Sequence, residues 1–394
     1  MLNKLRLLTP GPTPLPEEVR LALAKDMIHH RKQDFVRVME RIQPGLQYLF
    51  GTAQQVLPLT CSGTGAMHAA VTNLFAPGEK VLVVEGGKFG ERWREIAHAH
   101  GLVVTSLVQE NGVAVSAGDV RAALQADPEL RGVLVQASET STGVLHPVHE
   151  LAAVTRGINV LLVVDGISAV GISPCPMDAW GIDCLLTGSQ KGLMLPPGLA
   201  LLAMSERAWD KVRSVGSTNF YFNLLAERDK SLNHQTLFTS PVNLLQGLSV
   251  SLDLFREQTL EAVYAKQWAL TSMARAGAVS LGLELLARTH FTWGLTSIRL
   301  PAGIDGGEVL KVAAQRCGVV MAGGQGELKK CVVRLGHMGH VDWADVLAGL
   351  HALQVGLHAA GGYCATNTYM EDAVRAYEEA LRDGCPEMRD KEQA

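Results

Sequence analysis

A chain of 394 residues with 47% apolar and 19% charged content can bury a large core and form about two or three domain-sized units. Its 35 basic and 39 acidic residues are well mixed, so no basic stripe speaks for nucleic acid and no acidic tail for a solvating role. Seven scattered cysteines without a CxxC pair argue against structural zinc or a disulfide framework, and favour a reducing compartment.

No apolar signal core follows Met1. The longest apolar stretch, 158–172, is broken by Asp165 and Gly166 and falls short of the ~20 residues a membrane span needs. The expected setting is the cytoplasm, away from membranes.

From about residue 54 to 205, short β-rich runs alternate with helical segments. Strands are expected at 56–60, 80–84, 102–107, 132–136, 159–164, 183–187 and 198–204, with a helix over 67–74 after the first. Most of these runs are apolar without alternation, as strands buried on both faces are. The pattern predicts an α/β unit with a mainly parallel, seven-stranded sheet flanked by helices. Beyond residue 240 the texture changes. Pro241 can open a helix carrying Val242, Leu245, Leu248, Leu252 and Phe255 on one face. A helical region through about Ala287 reads as a connector. Strands at 295–300 and 331–335, with helices near 307–317 and 343–357, suggest a smaller α+β domain. Residues 369–382 form one more candidate helix, and the polar last dozen are expected to fray.

Ligands of open α/β sheets bind beyond the carboxyl ends of the strands. The polar segments that follow strands here are Ser62-Gly63-Thr64-Gly65, Glu85-Gly86-Gly87-Lys88-Phe89, Ser138-Glu139-Thr140-Ser141-Thr142-Gly143, Asp165 and Gly188-Ser189-Gln190-Lys191. A lysine attacks a carbonyl only as the neutral amine, which burial or a cationic neighbourhood favours. Lys191 follows an apolar strand and precedes Gly192-Leu193-Met194-Leu195-Pro196-Pro197-Gly198, so it is expected to be enclosed. Asp165 ends an apolar run, where an ionised carboxylate needs a partner, and a protonated pyridine nitrogen is one. Ser62-Gly63-Thr64-Gly65-Ala66 can present backbone amides to a phosphate at a helix start. Phe89, read as a loop residue among glycines, could stack on a flat ring, and Thr140 or Ser141 could bond a phenolic oxygen. Each also fits a bland role taken alone: a snorkelling lysine, a helix cap, a tight turn, a hydrophobic plug. The HxxH pair His337 and His340 lacks companions at metal-ligand spacing, and no GxSxG elbow is present.

Together these segments resemble the class V aminotransferases of the fold-type I pyridoxal-phosphate (PLP) enzymes, and most of all the alanine–glyoxylate and serine–pyruvate (serine–glyoxylate) aminotransferases. The likeness runs from Thr9-Pro10-Gly11-Pro12-Thr13 to about residue 357. Its strongest piece is Gly188-Ser189-Gln190-Lys191-Gly192 with Pro196-Pro197-Gly198, supported by Glu139-Thr140-Ser141-Thr142-Gly143-Val144 and Val164-Asp165-Gly166-Ile167-Ser168.

The resemblance implies a large PLP-binding domain over 21–257 after an N-terminal arm over 1–20. A connecting helix over 258–285 and a small domain with a terminal extension over 286–394 would follow. It implies Lys191 as the Schiff-base and proton-shuttling residue, Asp165 as the pyridinium partner and Phe89 as the stacking ring. Thr140 would meet the cofactor, and Thr64, Gly65, Ala66 and Gln190 would hold its phosphate. Thr236 and Thr239 would reach that phosphate from the second subunit of a homodimer. Arg334 would clamp the substrate carboxylate, with Gly11 lining the pocket. The implied activity is ping-pong transamination from a small amino acid (alanine, serine or aspartate) to glyoxylate or pyruvate. The same framework also serves transaminases of phosphonate or ureido amino acids, lyases and desulfurases. A binding protein on this scaffold is a further alternative, disfavoured by the joint presence of Lys191, Asp165 and Arg334.

Overall fold

The computed structural model of the chain describes residues 4–216, 218–362 and 366–386. A short strand, β1 (Arg6–Leu7), leads into helices α1 (Glu17–Leu23) and α2 (Gln33–Phe50). The large sheet then takes β2 (Val56–Leu59), β3 (Lys80–Glu85), β4 (Val103–Val108) and β5 (Leu130–Gln136). A small hairpin, β6 (Ser138–Glu139) and β7 (Val144–Leu145), interrupts it. The sheet resumes with β8 (Leu161–Asp165), β9 (Cys184–Gly188) and β10 (Ala200–Met204). Its order is β2-β10-β9-β8-β5-β3-β4. The pairs β4/β3, β3/β5, β5/β8 and β8/β9 are parallel, while β10 runs antiparallel to both neighbours. The mainly parallel, seven-stranded α/β sheet read from the sequence is therefore what forms.

The reason lies in the side-chain period of two. In β8, Leu161 and Val163 join one core with Val81, Val83, Leu134 and Leu186, while Leu162 and Val164 join the opposite core with Leu82, Val84, Val133 and Leu185. Apolar residues at every position thus serve two faces, each covered by helices. The edge strand β4 departs from the expectation of burial, with Val103 51% and Val108 73% exposed. Nothing pairs with its outer side among the described residues.

Helices α3 (Gly63–Leu74) and α4 (Lys88–Ala99) follow β2 and β3. The expected helix after Pro241 forms over Val242–Gln258 and buries Val242, Leu245, Leu248, Leu252 and Phe255. The connector helix is shorter than expected: it spans Leu260–Ser280 and stops before Gly282, whose φ of +81° turns the chain into β11 (Glu284–Leu285). Next come β12 (Leu295–Arg299), β13 (Val319–Val320), β14 (Ala322–Gly323) and β15 (Val332–Gly336), with helices Gly306–Cys317, Trp343–Ala359 and Tyr369–Asp383 around them. The antiparallel sheet β11-β12-β15-β14 shares a core with these helices, and Leu8 joins it because β1 pairs with β13. The expected fraying of the chain end falls mainly on 387–394, outside the described residues.

Candidate active site

Asp165 closes β8 and stands in register with Leu186 of the parallel strand β9. Three residues past β9 comes Lys191, so both side chains leave the same edge of the sheet. The turn that carries the lysine is tightly tied. Ser189 Oγ donates to Pro196 O at 2.6 Å and Leu195 N to Ser189 O at 3.0 Å. The N-terminal segment crosses over it: Thr13 Oγ1 donates to Lys191 O at 3.0 Å, Thr13 N to Gln190 O at 3.2 Å, and Lys191 Nζ to Pro10 O. Gly11, at φ +108°, makes this crossing possible. A Cβ there would lie 2.6 Å from Lys191 Cε and 2.8 Å from Nζ.

Burial dominates the electrostatics of the pair. Desolvation pushes the Lys191 amine down to about 8; Asp165 opposes the shift, and the Arg334 and Arg92 cations add to it. Desolvation likewise pushes Asp165 up to about 7; the Ile167 amide opposes this and the nearby Glu139 carboxylate reinforces it. Asp165 is 4% exposed, and among the described residues its hydrogen-bond donor is that amide, Ile167 N to Oδ1 at 2.8 Å. Among the described residues no side-chain cation hydrogen-bonds it.

The wall opposite is built on Glu139. This buried carboxylate accepts from Phe89 N (3.0 Å), Gly90 N (3.1 Å), Ser141 N (3.1 Å) and Ser141 Oγ (2.5 Å), while Lys88 N donates to Ser141 Oγ at 3.0 Å. Desolvation still raises its pKa, with these bonds opposing the rise. Glu139 thereby caps the start of α4. Phe89 consequently sits in the first turn of a helix, which corrects its reading as a loop residue. One turn on, Arg92 lies with its guanidinium carbon 4.8 Å from the Phe89 ring centre, and its Nη1 donates to Thr64 Oγ1 at 3.2 Å.

The same segment orients Arg334. On β15, Arg334 Nε donates to Gly323 O and Nη1 to Thr140 O, both at 2.8 Å. Burial lowers its pKa and the field of Glu139 resists that. Among the described residues no carboxylate lies within ion-pair distance of it. Two carbonyls fix the plane of the guanidinium and leave its charge unmatched.

At the start of α3, the amides of Gly65 and Ala66 both donate to Ser62 O, at 2.8 and 3.2 Å. The amides of Gly63 and Thr64 precede the first helical bond and are the ones open to an anion. Gln190 Oε1 is buried without a hydrogen-bond partner. Thr236 and Thr239 make their hydrogen bonds elsewhere in the chain: Thr236 with Phe238 O (2.8 Å) and Ser240 Oγ (2.7 Å), Thr239 with His30 Nε2 (3.3 Å). The HxxH pair diverges, since His337 is buried against Thr296 and Gln267 while His340 is exposed.

Sequence reasoning thus missed two residues of this site, Arg92 and the anchoring role of Glu139. Once α4 is drawn, Arg92 lies one turn from Phe89 on the same face, which was the available signal. Glu139 gave none, because its partners at Phe89 and Gly90 are backbone amides distant in sequence.

The model of the aminotransferase class-V family matches residues 10–368. The chain belongs to the class V aminotransferase family. An L-aspartate–glyoxylate aminotransferase of Paracoccus denitrificans is 34% identical, over 89% of this chain and 90% of that protein. A Synechococcus protein named as the small subunit of a soluble hydrogenase is 35% identical, over 92% of this chain and 95% of its own. Among solved structures, pyridoxamine–pyruvate aminotransferase of Mesorhizobium loti superposes with a TM-score of 0.92 at 26% identity, covering 96% of this chain and 98% of that one. As a member of this family the chain is an aminotransferase, acting on amino-acid and oxo-acid substrates.

Proposed function

We propose that the enzyme uses PLP, held through Lys191, to move the amino group of alanine, serine or aspartate to glyoxylate or pyruvate by a ping-pong sequence. The observation that carries this reading is the pair of buried, uncompensated groups at one sheet edge: a lysine amine drawn down to about 8 facing a carboxylate drawn up to about 7. A protonated ring nitrogen supplies the cation that Asp165 lacks within the protein, so the residues fit the group. When bound, PLP supplies an aldehyde for the amine and a ring that accepts an electron pair from the substrate α-carbon.

Every other role belongs to the chain. Asp165 holds the proton on the ring nitrogen. Phe89 would pack on the cofactor ring and help to keep water out. Thr140 stands by the ring, and Thr64, Gly65, Ala66 and Gln190 line the phosphate end. Arg334, its plane already set by Gly323 O and Thr140 O, takes the substrate carboxylate. Lys191 would hold the cofactor through its amine and, as a free amine, would take a proton from the substrate α-carbon and return it. Gly11 leaves room for the amine to swing between Pro10 O and the substrate.

We read the working unit as a cytoplasmic homodimer in which Thr236 and Thr239 reach the phosphate bound by a second copy. No helix among the described residues is long and apolar enough to cross a membrane.

The test is a panel of amino acids offered to the PLP-loaded enzyme without acceptor, with released oxo acid quantified, followed by glyoxylate or pyruvate. One equivalent of oxo acid from alanine, serine or aspartate is expected. A panel in which none of the three reacts removes this donor assignment.

A further inference from the structure

Among the described residues three arginines lie over aromatic rings, and two of them are held in place by a carboxylate or by two carbonyls. Arg228, 4.6 Å from the Trp209 ring centre, also pairs with Glu206 at 2.9 Å. Arg275, 3.5 Å from the Phe291 ring centre, donates to the carbonyls of Ala287 and Arg288, each at 3.0 Å. Arg92 differs. Among the described residues it has no carboxylate within ion-pair distance, and its hydrogen bond goes to the hydroxyl of Thr64 at 3.2 Å.

That hydroxyl is unusual in turn. A threonine inside a helix commonly spends its proton on a carbonyl one turn back, as Thr72 does on His68 O at 2.9 Å in the same helix. Thr64 stands in the first turn of α3, where no helical carbonyl precedes it. A hydroxyl carries one proton and two lone pairs. With a lone pair engaged by a cation, its proton remains available and the O–H becomes a stronger donor. A guanidinium with four N–H groups to spare, a polarised hydroxyl and the open amides of Gly63 and Thr64 all meet at one place.

We propose that Arg92 is a positioning residue for the cofactor phosphate, holding the Thr64 hydroxyl as a donor and adding a positive charge at that end of the site. This rests on the reading that PLP is the cofactor. The half-buried guanidinium also acts on both Asp165 and Lys191, lowering the pKa of each. Arg92 thus does more than back the Phe89 ring: it links the ring wall on α4 to the anion turn on α3.

The full chain, stripped of cofactor, would be titrated with PLP and with pyridoxal, which has the ring and aldehyde but no phosphate. Bound-cofactor absorbance is the readout, with inorganic phosphate as competitor. Arg92→Gln should weaken PLP and inorganic phosphate by about tenfold or more and leave pyridoxal within about twofold. Arg92→Lys should recover part of the loss. Thr64→Val should show the same selective loss, and adding Arg92→Gln to it should cost less than in the parent. Unchanged PLP affinity in Arg92→Gln overturns the proposal. An equal loss for PLP and pyridoxal also overturns it and leaves Arg92 as a support of the ring wall. Should Arg92→Gln fail to fold, an undiminished phosphate preference in both Arg92→Lys and Thr64→Val has the same force. Failure of the parent chain to take up PLP would instead strike the proposed function itself.

Discussion

The two edges of the large sheet treat a buried carboxylate in opposite ways. Asp183, just before β9, is 3% exposed and receives Arg207 Nη2 at 2.5 Å, Arg207 Nε at 3.0 Å, Ser205 Oγ at 2.9 Å and Leu162 N at 2.9 Å. Asp165, at the other edge on the neighbouring strand, is 4% exposed and receives the Ile167 amide. Both carboxylates are removed from water, so desolvation is comparable, yet the protein compensates one and leaves the other short. Lys191 follows β9 at the same end, Arg334 acts on it from β15, and among the described residues neither has a carboxylate within ion-pair distance. Asp183 is completed within the protein, whereas Asp165 is left short of partners at the end of the sheet where the cofactor is proposed to bind.

Removing a group at the uncompensated edge should cost function, and at the compensated edge stability. The largest effect is expected from Lys191→Ala. Turnover should fall by more than about 10³-fold, and reduction of the PLP-treated protein with borohydride should leave no covalent mass increase. A borohydride-stable adduct in that variant would move the attachment point elsewhere. Next, Arg334→Ala should weaken transition-state binding of carboxylate substrates by about 2–5 kcal/mol, read as a fall in kcat/KM. An unchanged kcat/KM would take Arg334 out of its clamp role. Asp183→Asn breaks the compensated edge and should lower unfolding stability by about 2–3 kcal/mol in a denaturant titration, at the small end for a buried pair because the Arg207 side chain is 40% exposed. A loss confined to activity would erase the contrast between the edges.

The same contrast marks what the sequence could reveal. Strands β3, β5, β8 and β9 and the polar residues that end them were legible, because apolar runs buried on two faces leave a polar remainder only at their ends. Lys191 and Asp165 fall there. Phe89 was misplaced because Gly86, Gly87 and Gly90 read as breakers. Gly90 is nevertheless helical: α4 packs so closely on β3 that a Cβ would come within 2.5 Å of Val84 O and 2.6 Å of Glu85 Cα. That glycine serves a close approach, which local propensity does not encode. The long helix α2 was not drawn from the sequence, although it carries an apolar stripe in Phe35, Met39, Ile42, Leu46 and Leu49, all buried. Glu139 depends on backbone amides of a segment far off in the chain, which no residue pattern announces, and Arg92 comes within reach only once α4 is drawn through Phe89.

The smallest expected effect is also the one whose sign separates the two edges. Asp165 titrates at about 7 in the folded, cofactor-free chain, raised from an unfolded value of 3.8. A raised carboxylate pKa means that the folded state holds its proton more tightly. Stability from this group is fully present below about pH 4 and is lost as pH rises through 7. Asparagine keeps the shape and has no proton to lose. Cofactor-free Asp165→Asn should therefore match the parent near pH 4 and exceed it by on the order of 1–3 kcal/mol at pH 8, a gap read from melting curves across that range. Loading with PLP should reverse the order, because only the carboxylate can hold a proton on the ring nitrogen. Asp183→Asn should lose stability in both forms, since its carboxylate is already paired. If cofactor-free Asp165→Asn melted below the parent at pH 8, Asp165 would be a compensated structural charge like Asp183, and the edge at Asp165 would lose its claim to be built for a ligand.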